Sequence, residues 1–263
     1  MSQGHPELGV RLEVAGPVAT ITLCRPEVRN AQTPRMWAAI AEIGAELPTG
    51  VRVAVVRGEG ESFSAGLDLA MFDPDNTSEM SFARLARLTD LELDETIASF
   101  QQAFSWWGRP PLLSVAAVQG HAVGAGFQLA LACDLRVLTD DARLCMRETT
   151  LGLVPDLGGT QPLVDQVGYA RALEICVTGR WVEAAEARDL GLATIVVPRR
   201  DLDSTVADLV AAIVAAPADA VTATKALLQT ATSRGYGDQL AAERAAQVKR
   251  IRALAAAFGQ HDP

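Results

Sequence analysis

The chain has 263 residues, 49% of them apolar and 21% charged, with a formal net charge of −9. That composition fits one large globular domain with a sizeable core and excludes a disordered or fibrous chain. The acidic balance argues against general nucleic-acid binding, which needs a basic face, but leaves room for an anionic small molecule held by a few local cations.

The first ten residues, MSQGHPELGV, lack the basic start and apolar stretch of a signal peptide. No apolar run approaches the roughly 18 residues expected of a membrane span. Cys24, Cys133, Cys145 and Cys176 sit in apolar settings without a CxxC pair, and read as buried free thiols in a reducing, cytoplasmic setting. The histidines are scattered, so no metal site is expected.

In chain order, residues 10–14 and 18–24 flank Gly16-Pro17 and read as an opening hairpin. Thr33 suits a helix N-cap and Pro34 the first helical position, with Met36, Ile40, Ile43 and Leu47 along one face. Residues 53–56 form a short apolar run that reads as a buried parallel strand. Residues 78–107 are helical in pattern, in one or two pieces, and 112–118 is a second buried strand. A glycine-rich turn follows at 120–126, then an apolar helix at 127–133 and a strand at 134–138. Helices dominate beyond Gly158, the last over residues 238–258 with Leu240, Val248, Ile251, Leu254 and Phe258 near one face and a frayed tail at 259–263. Alternating β and α elements followed by helices indicate the α/β class.

Two glycine turns occupy equivalent places, each between a buried strand and a helix: Phe63-Ser64-Ala65-Gly66-Leu67-Asp68-Leu69 and Gly120 to Gly126. Small residues let a ligand approach the backbone, and a helix start presents unpaired N–H groups with a partial positive charge. Either turn alone reads equally as a tight connection. Gly124-Ala125-Gly126 does not complete a dinucleotide fingerprint.

Taken together, these segments resemble the enoyl-CoA hydratase/isomerase (crotonase) superfamily. FSAGLDL resembles its first oxyanion turn, QGHAVGAGFQLALACDLRV its second turn with the following helix and strand, and LGLVPDLGGTQPL with TGRWVEAAEARDLGLATIVV the stretch beyond. CRPEVRNA resembles the segment that wraps the CoA nucleotide. The resemblance covers roughly residues 8–235 in the family's order and spacing. It implies a spiral of ββα units over residues 1–200 and a helical C-terminal oligomerisation region over 201–263, assembled as a homotrimer or hexamer. It also implies an acyl-CoA thioester as substrate, with CoA part of that substrate and no separate cofactor.

The resemblance further implies that the backbone N–H groups of Leu67 and Ala125 hold the thioester oxygen. Such donors favour the enolate over the ground state, each by about 3–4 kcal/mol in other oxyanion holes. Arg25, Val28 and Arg29 map onto the CoA-contacting segment, with Ala65, Asp68 and Gly124 flanking the two turns. For Asp68 the residues favour a cap on the helix that follows, and for Arg29 a solvated arginine is the alternative.

Hydratases of this family use two glutamates to hold and deliver a water. Gln128 stands at the first of these positions, where an amide can orient water or substrate but cannot exchange a proton. Glu148 matches the second, which in the simple isomerases carries the proton shift alone. Asp156, with Gly152 midway between it and Glu148, resembles the second carboxylate of the dienoyl-CoA isomerases; its alternative is a cap on the helix opened by Gly158-Gly159-Thr160. The expected activity is isomerase-like or hydratase-like, with Glu148 as principal acid/base. A non-catalytic acyl-CoA-binding member and another family reaction such as thioester hydrolysis are the alternatives. Trp106 and Trp107 read as core or subunit-contact aromatics, His121 as structural, and Lys225 as solvated or near the CoA phosphates.

Overall fold

The computed structural model of the protein describes residues 2–73, 75, 76 and 81–259. The start of the helical stretch expected from Ser78, and the tail beyond Gly259, lie outside the described residues.

The expected hairpin forms as β2 (Val10–Ala15) and β3 (Val18–Leu23), paired antiparallel from Val10↔Leu23 to Ala15↔Val18. A preceding strand, β1 (Ser2–His5), adds to β2 through its backbone. Its residues show no apolar alternation, so periodicity gives no sign of it. Helix α1 (Pro34–Glu46) starts as expected, with the Thr33 side chain accepting from the Met36 N–H at 3.3 Å. It buries Met36, Trp37, Ile40 and Ile43.

β4 (Val53–Gly58), β5 (Leu113–Val118), β7 (Leu135–Thr139) and β10 (Ile195–Val197) continue the sheet in parallel, giving the order β1-β2-β3-β4-β5-β7-β10. Both faces are covered. Ala54, Val56, Ala116 and Val118 enter the main core, whereas Val53, Val55, Val115 and Ala117 pack under Leu202 and Val206 of α8 (Leu202–Ala215). Two-sided burial explains the uninterrupted apolar runs of these strands.

A smaller sheet orders β6 (His121–Val123), β8 (Arg143–Cys145) and β9 (Val182–Glu183), with β6 parallel to β8 and β8 antiparallel to β9. Ser64 extends it through an isolated parallel bridge to Ala122. Each turn of the chain thus lays one strand in the large sheet and one in the small: β4 then Ser64, β5 then β6, β7 then β8. This is the spiral that the family resemblance implies. β6 falls within the glycine-rich turn at 120–126, and strands of two or three residues are too short to show a period.

The helical stretch before β5 comes in two pieces, α2 (Phe82–Leu85) and α3 (Asp90–Ser105). Thr89 and Glu92 close a reciprocal capping box at the start of α3. α4 (Ala125–Ala132) follows β6 and buries almost its whole circumference. Beyond β8 come α5 (Thr160–Val167), α6 (Tyr169–Thr178) and α7 (Ala184–Asp189). Trp106 and Trp107 stack at 3.9 Å between ring centroids within the core.

The last helices are α9 (Ala218–Gln229) and α10 (Tyr236–Gly259). α8 is part of the core, and the Arg52 guanidinium caps its end by donating to the Val214 and Ala216 carbonyls at 2.8 and 2.6 Å. Lys225 of α9 departs from the sequence expectation. It is 6% exposed, and its Nζ donates to Asp134 Oδ2 at 2.7 Å and to the Leu112 and Arg109 carbonyls at 2.5 and 3.1 Å. A polar pattern in the flanking helix hid a buried cation, because the partner groups come from strand ends far away in sequence. α10 packs chiefly on α9 and leaves Val248, Ile251 and Leu254 half exposed; the Phe258 side chain lies outside the described residues.

Candidate active site

The two glycine turns meet. Ser64 N–H donates to the His121 carbonyl at 2.9 Å and Val123 N–H to the Ser64 carbonyl at 3.0 Å. Gly66 has φ +86°, and any Cβ there would strike the Val123 carbonyl. Only glycine permits both the left-handed backbone and that approach.

Buried polar side chains hold the first turn in place. Asn30 donates from Nδ2 to the Glu59 and Ser62 carbonyls at 2.9 and 2.8 Å and accepts from the Arg25 N–H at 2.9 Å. Gln32 links the Trp37 indole N–H (2.8 Å) to Ser64 Oγ (3.0 Å). Ser64 Oγ in turn donates to the Asn30 carbonyl and accepts from the Gly66 N–H at 3.2 Å. Neighbouring amides are therefore used: Gly66 N–H by Ser64, Asp68 N–H by the Gln32 carbonyl at 2.8 Å. The N–H groups of Leu67 and Ala125 have no acceptor among the described residues. Ala125 opens α4, where the first amides lack intrahelical partners.

Both turns face a cavity of about 550 Å³. Ala65, Gly66, Leu67, Val123, Gly124 and Ala125 contribute its backbone wall, and Arg147, Glu148 and Asp156 are its charged residues. The remaining wall is apolar, from Trp37 of α1, Leu69 and Met71 of the 3-10 turn Leu69–Phe72, α2, α3, and Leu151 to Leu157. The structure thus brings Leu67, Ala125, Gly124, Ala65, Glu148 and Asp156 to one cavity.

Glu148 begins a 3-10 turn after β8 and is 8% exposed. Its Oε1 accepts from Gln128 Nε2 at 2.6 Å, whereas its Oε2 is buried without a hydrogen-bond partner among the described residues. Burial pushes the Glu148 carboxyl above the usual glutamate range; its own backbone N–H and the Gln128 amide pull it back in part, and the nearby Asp156 charge adds to the rise. Burial likewise raises Asp156. Asp156 does not cap the following helix: α5 starts from Gly159 without a side-chain cap.

Gln128 takes a part the sequence did not suggest. It is 1% exposed and absent from the cavity wall. Its Oε1 accepts from the Leu157 and Gly159 N–H groups at 3.0 and 3.2 Å, which fixes the amide so that Nε2 must face Glu148. Its Nε2–H is thus directed at the carboxylate.

The nucleotide-side residues divide. Arg25 points inward, donating from Nη1 to Asp68 Oδ2 at 2.9 Å and to the Ala31 carbonyl at 2.7 Å. Asp68 also caps the 3-10 turn by accepting from the Ala70 N–H at 3.1 Å. Val28 and Arg29 are exposed, and the Arg29 carbonyl accepts from the Ala65 N–H at 2.8 Å. Arg29 and Asn30 both hold positive φ, 52° and 55°, which sharpens the segment where it meets the first turn. His121 contacts Ser62 Oγ through Nδ1 at 3.2 Å and Trp181 edge-on, outside the cavity wall.

The family model for enoyl-CoA hydratase/isomerase matches residues 13–257. The chain belongs to the enoyl-CoA hydratase/isomerase family. Among curated relatives it is 36% identical over 191 residues to (E)-benzylidenesuccinyl-CoA hydratase of Thauera aromatica, covering 72% of this chain and 69% of that one. It is 35% identical over 199 residues to YngF of Bacillus subtilis (strain 168), provisionally named an enoyl-CoA hydratase/isomerase, covering 74% and 72%. A protein of Thermobifida fusca YX, provisionally named an enoyl-CoA hydratase, is similar in structure. Its complex with CoA has a TM-score of 0.90 at 49% identity, covering 95% of each chain. Its complex with acetoacetyl-CoA has a TM-score of 0.89 at 50% identity, covering 94% and 96%. The protein is therefore a crotonase-family acyl-CoA enzyme. Motif reading passed over Gln32 and Trp37 and gave no supporting role to Asn30 and Ser64, although both lie inside the quoted motifs; no local pattern marks these four as partners.

Proposed function

We propose that the protein is an enoyl-CoA isomerase that moves a double bond along an acyl-CoA by a proton shift through Glu148. The thioester oxygen is held by the Leu67 and Ala125 N–H groups. The Glu148 carboxylate removes a proton from C2, and the C2–H electron pair moves toward the carbonyl, placing negative charge on the thioester oxygen. The Glu148 carboxylic acid then returns the proton at C4. The C3–C4 double bond becomes C2–C3, with no net gain or loss of atoms. A carboxyl with a raised pKa is a stronger base toward a weak carbon acid, and in its neutral form still donates readily to the dienolate.

The observation that carries this reading is the locked Gln128 amide. Both its polar atoms are engaged away from the cavity, so the position that would supply a second proton-exchanging group beside Glu148 supplies none. A second reading, hydration with Asp156 as the additional carboxylate, is favoured by the names of the relatives and by the place of Asp156 in the cavity wall. The two separate on purified protein offered 3-enoyl, 2-enoyl and 3,5-dienoyl thioesters of CoA. Isomerisation gives a moved double bond and no 3-hydroxyacyl product. Accumulation of 3-hydroxyacyl-CoA from the 2-enoyl substrate as the faster reaction overturns it in favour of hydration. The reading includes assembly of the chain as a homotrimer or hexamer. It is supported by the half-exposed apolar residues of α10 and tested by light scattering of the purified protein.

A further inference from the structure

The 550 Å³ cavity does not end against the bulk of the protein. On the far side of Met71 and Phe100 lies a second cleft of about 1050 Å³, and these two residues line both spaces. Its wall includes small residues of α1, namely Ala38, Ala41 and Ala45, and Ser99 and Gln102 of α3. Most of these are exposed, so the cleft faces solvent.

The partition is thin and unequal in stiffness. Phe100 is 8% exposed and braced against Trp37, with ring centroids 5.0 Å apart, and the Trp37 indole is itself pinned to Gln32. Met71 sits on a one-turn 3-10 helix, 6% exposed, with an unbranched side chain that adapts readily. On the acyl side, Leu85, Leu93, Ile97 and Leu157 offer no side-chain hydrogen-bond partner, so a hydroxyl or carboxylate placed against them would lose its water without compensation.

We propose that Met71 and Phe100 form the end wall that sets the acyl length of this enzyme, whose substrates are plain hydrocarbon acyl thioesters; the inference rests on the assignment of the cavity to the acyl group. Opening the wall joins the acyl cavity to the second cleft and admits longer chains.

The test uses the full-length protein and a series of saturated acyl-CoAs from butanoyl to hexadecanoyl, with binding read by calorimetry. The CoA part is common to all, so the trend with length reports the acyl site alone. Turnover of the matching enoyl series is read as kcat/KM. The parent protein is expected to lose affinity beyond a defined chain length. Met71→Ala, which leaves the Trp37–Phe100 pair in place, and Phe100→Leu, which keeps most of the buried area, each move that limit to longer chains. The ratio of kcat/KM for dodecenoyl over hexenoyl substrate then rises about tenfold or more, the usual weight of a methylene accepted or excluded by an apolar pocket. An unchanged limit in folded Met71→Ala protein overturns the partition while leaving the acyl-CoA reading standing. Failure of the parent protein to bind any acyl-CoA overturns that reading and the partition with it.

Discussion

Glu148 and Gln128 show how a buried pair of side chains divides a task. Gln128 occupies Glu148 Oε1 and leaves Oε2 as the free atom, so the two oxygens are not equivalent. Glu148→Gln is expected to lower kcat by about 10³, the usual weight of a positioned acid/base. The same substitution should raise the thermal midpoint at pH 7. A carboxyl whose folded pKa is raised stabilises the fold below its unfolded pKa, and that contribution is lost as pH rises through the folded value. A permanently neutral amide escapes the loss, so the gain at pH 7 should vanish near pH 4. In the parent enzyme the acid limb of kcat/KM should lie above the ordinary carboxylate range, because the base must be ionised and burial opposes ionisation. Gln128→Glu tests the pairing from the other side. Hydration of 2-enoyl-CoA should rise relative to isomerisation, measured as 3-hydroxyacyl product, since a second exchangeable proton then sits beside Glu148.

At the scale of elements, the decisive object is the contact between two turns that follow successive strands of the spiral. Gly66 allows the first turn to lie on the Val123 carbonyl, and Gly124, with φ +48°, passes so close to Glu148 that a Cβ would come 3.2 Å from its Oε1. Gly66→Ala is expected to displace the Leu67 amide and reduce kcat about a hundredfold, comparable to loss of one oxyanion donor. Circular dichroism should show the fold retained, since the strain is local. The strands and helices that carry these turns were legible from apolar runs and capping residues such as Thr33. The three-residue strands β6 and β8 were not, because they take their conformation from neighbours rather than from their own alternation.

Across the whole molecule, the C-terminal helices are tied to the sheet in two different ways. α8 closes the second face through apolar packing, while α9 is anchored through Lys225 at the ends of strands β5 and β7. Lys225→Met should lower unfolding stability by about 3 kcal/mol, because it leaves Asp134 partly buried beside unpaired carbonyls. Chemical unfolding at neutral pH measures this directly. Loss of stability without a change in the acyl-length limit would separate this anchor from the cavity wall. Of the motifs that place the chain in its family, the two glycine turns and the segment from Leu151 to Leu157 meet at one cavity, although they are far apart in sequence.

The amino-acid sequence by itself determined the α/β order and the two glycine turns, because each depends on local residue type and spacing, and its family resemblance singled out Gln128, Glu148 and Asp156. Tertiary structure alone decided what those residues face. It turned Gln128 from the cavity onto Glu148, Arg25 onto Asp68, and Lys225 into the interior, and it placed Met71 and Phe100 between two cavities. Hydrogen-bond partners and shared walls come from segments far apart in the chain. No local pattern encodes which of two lone pairs, or which side of an aromatic ring, will be left open.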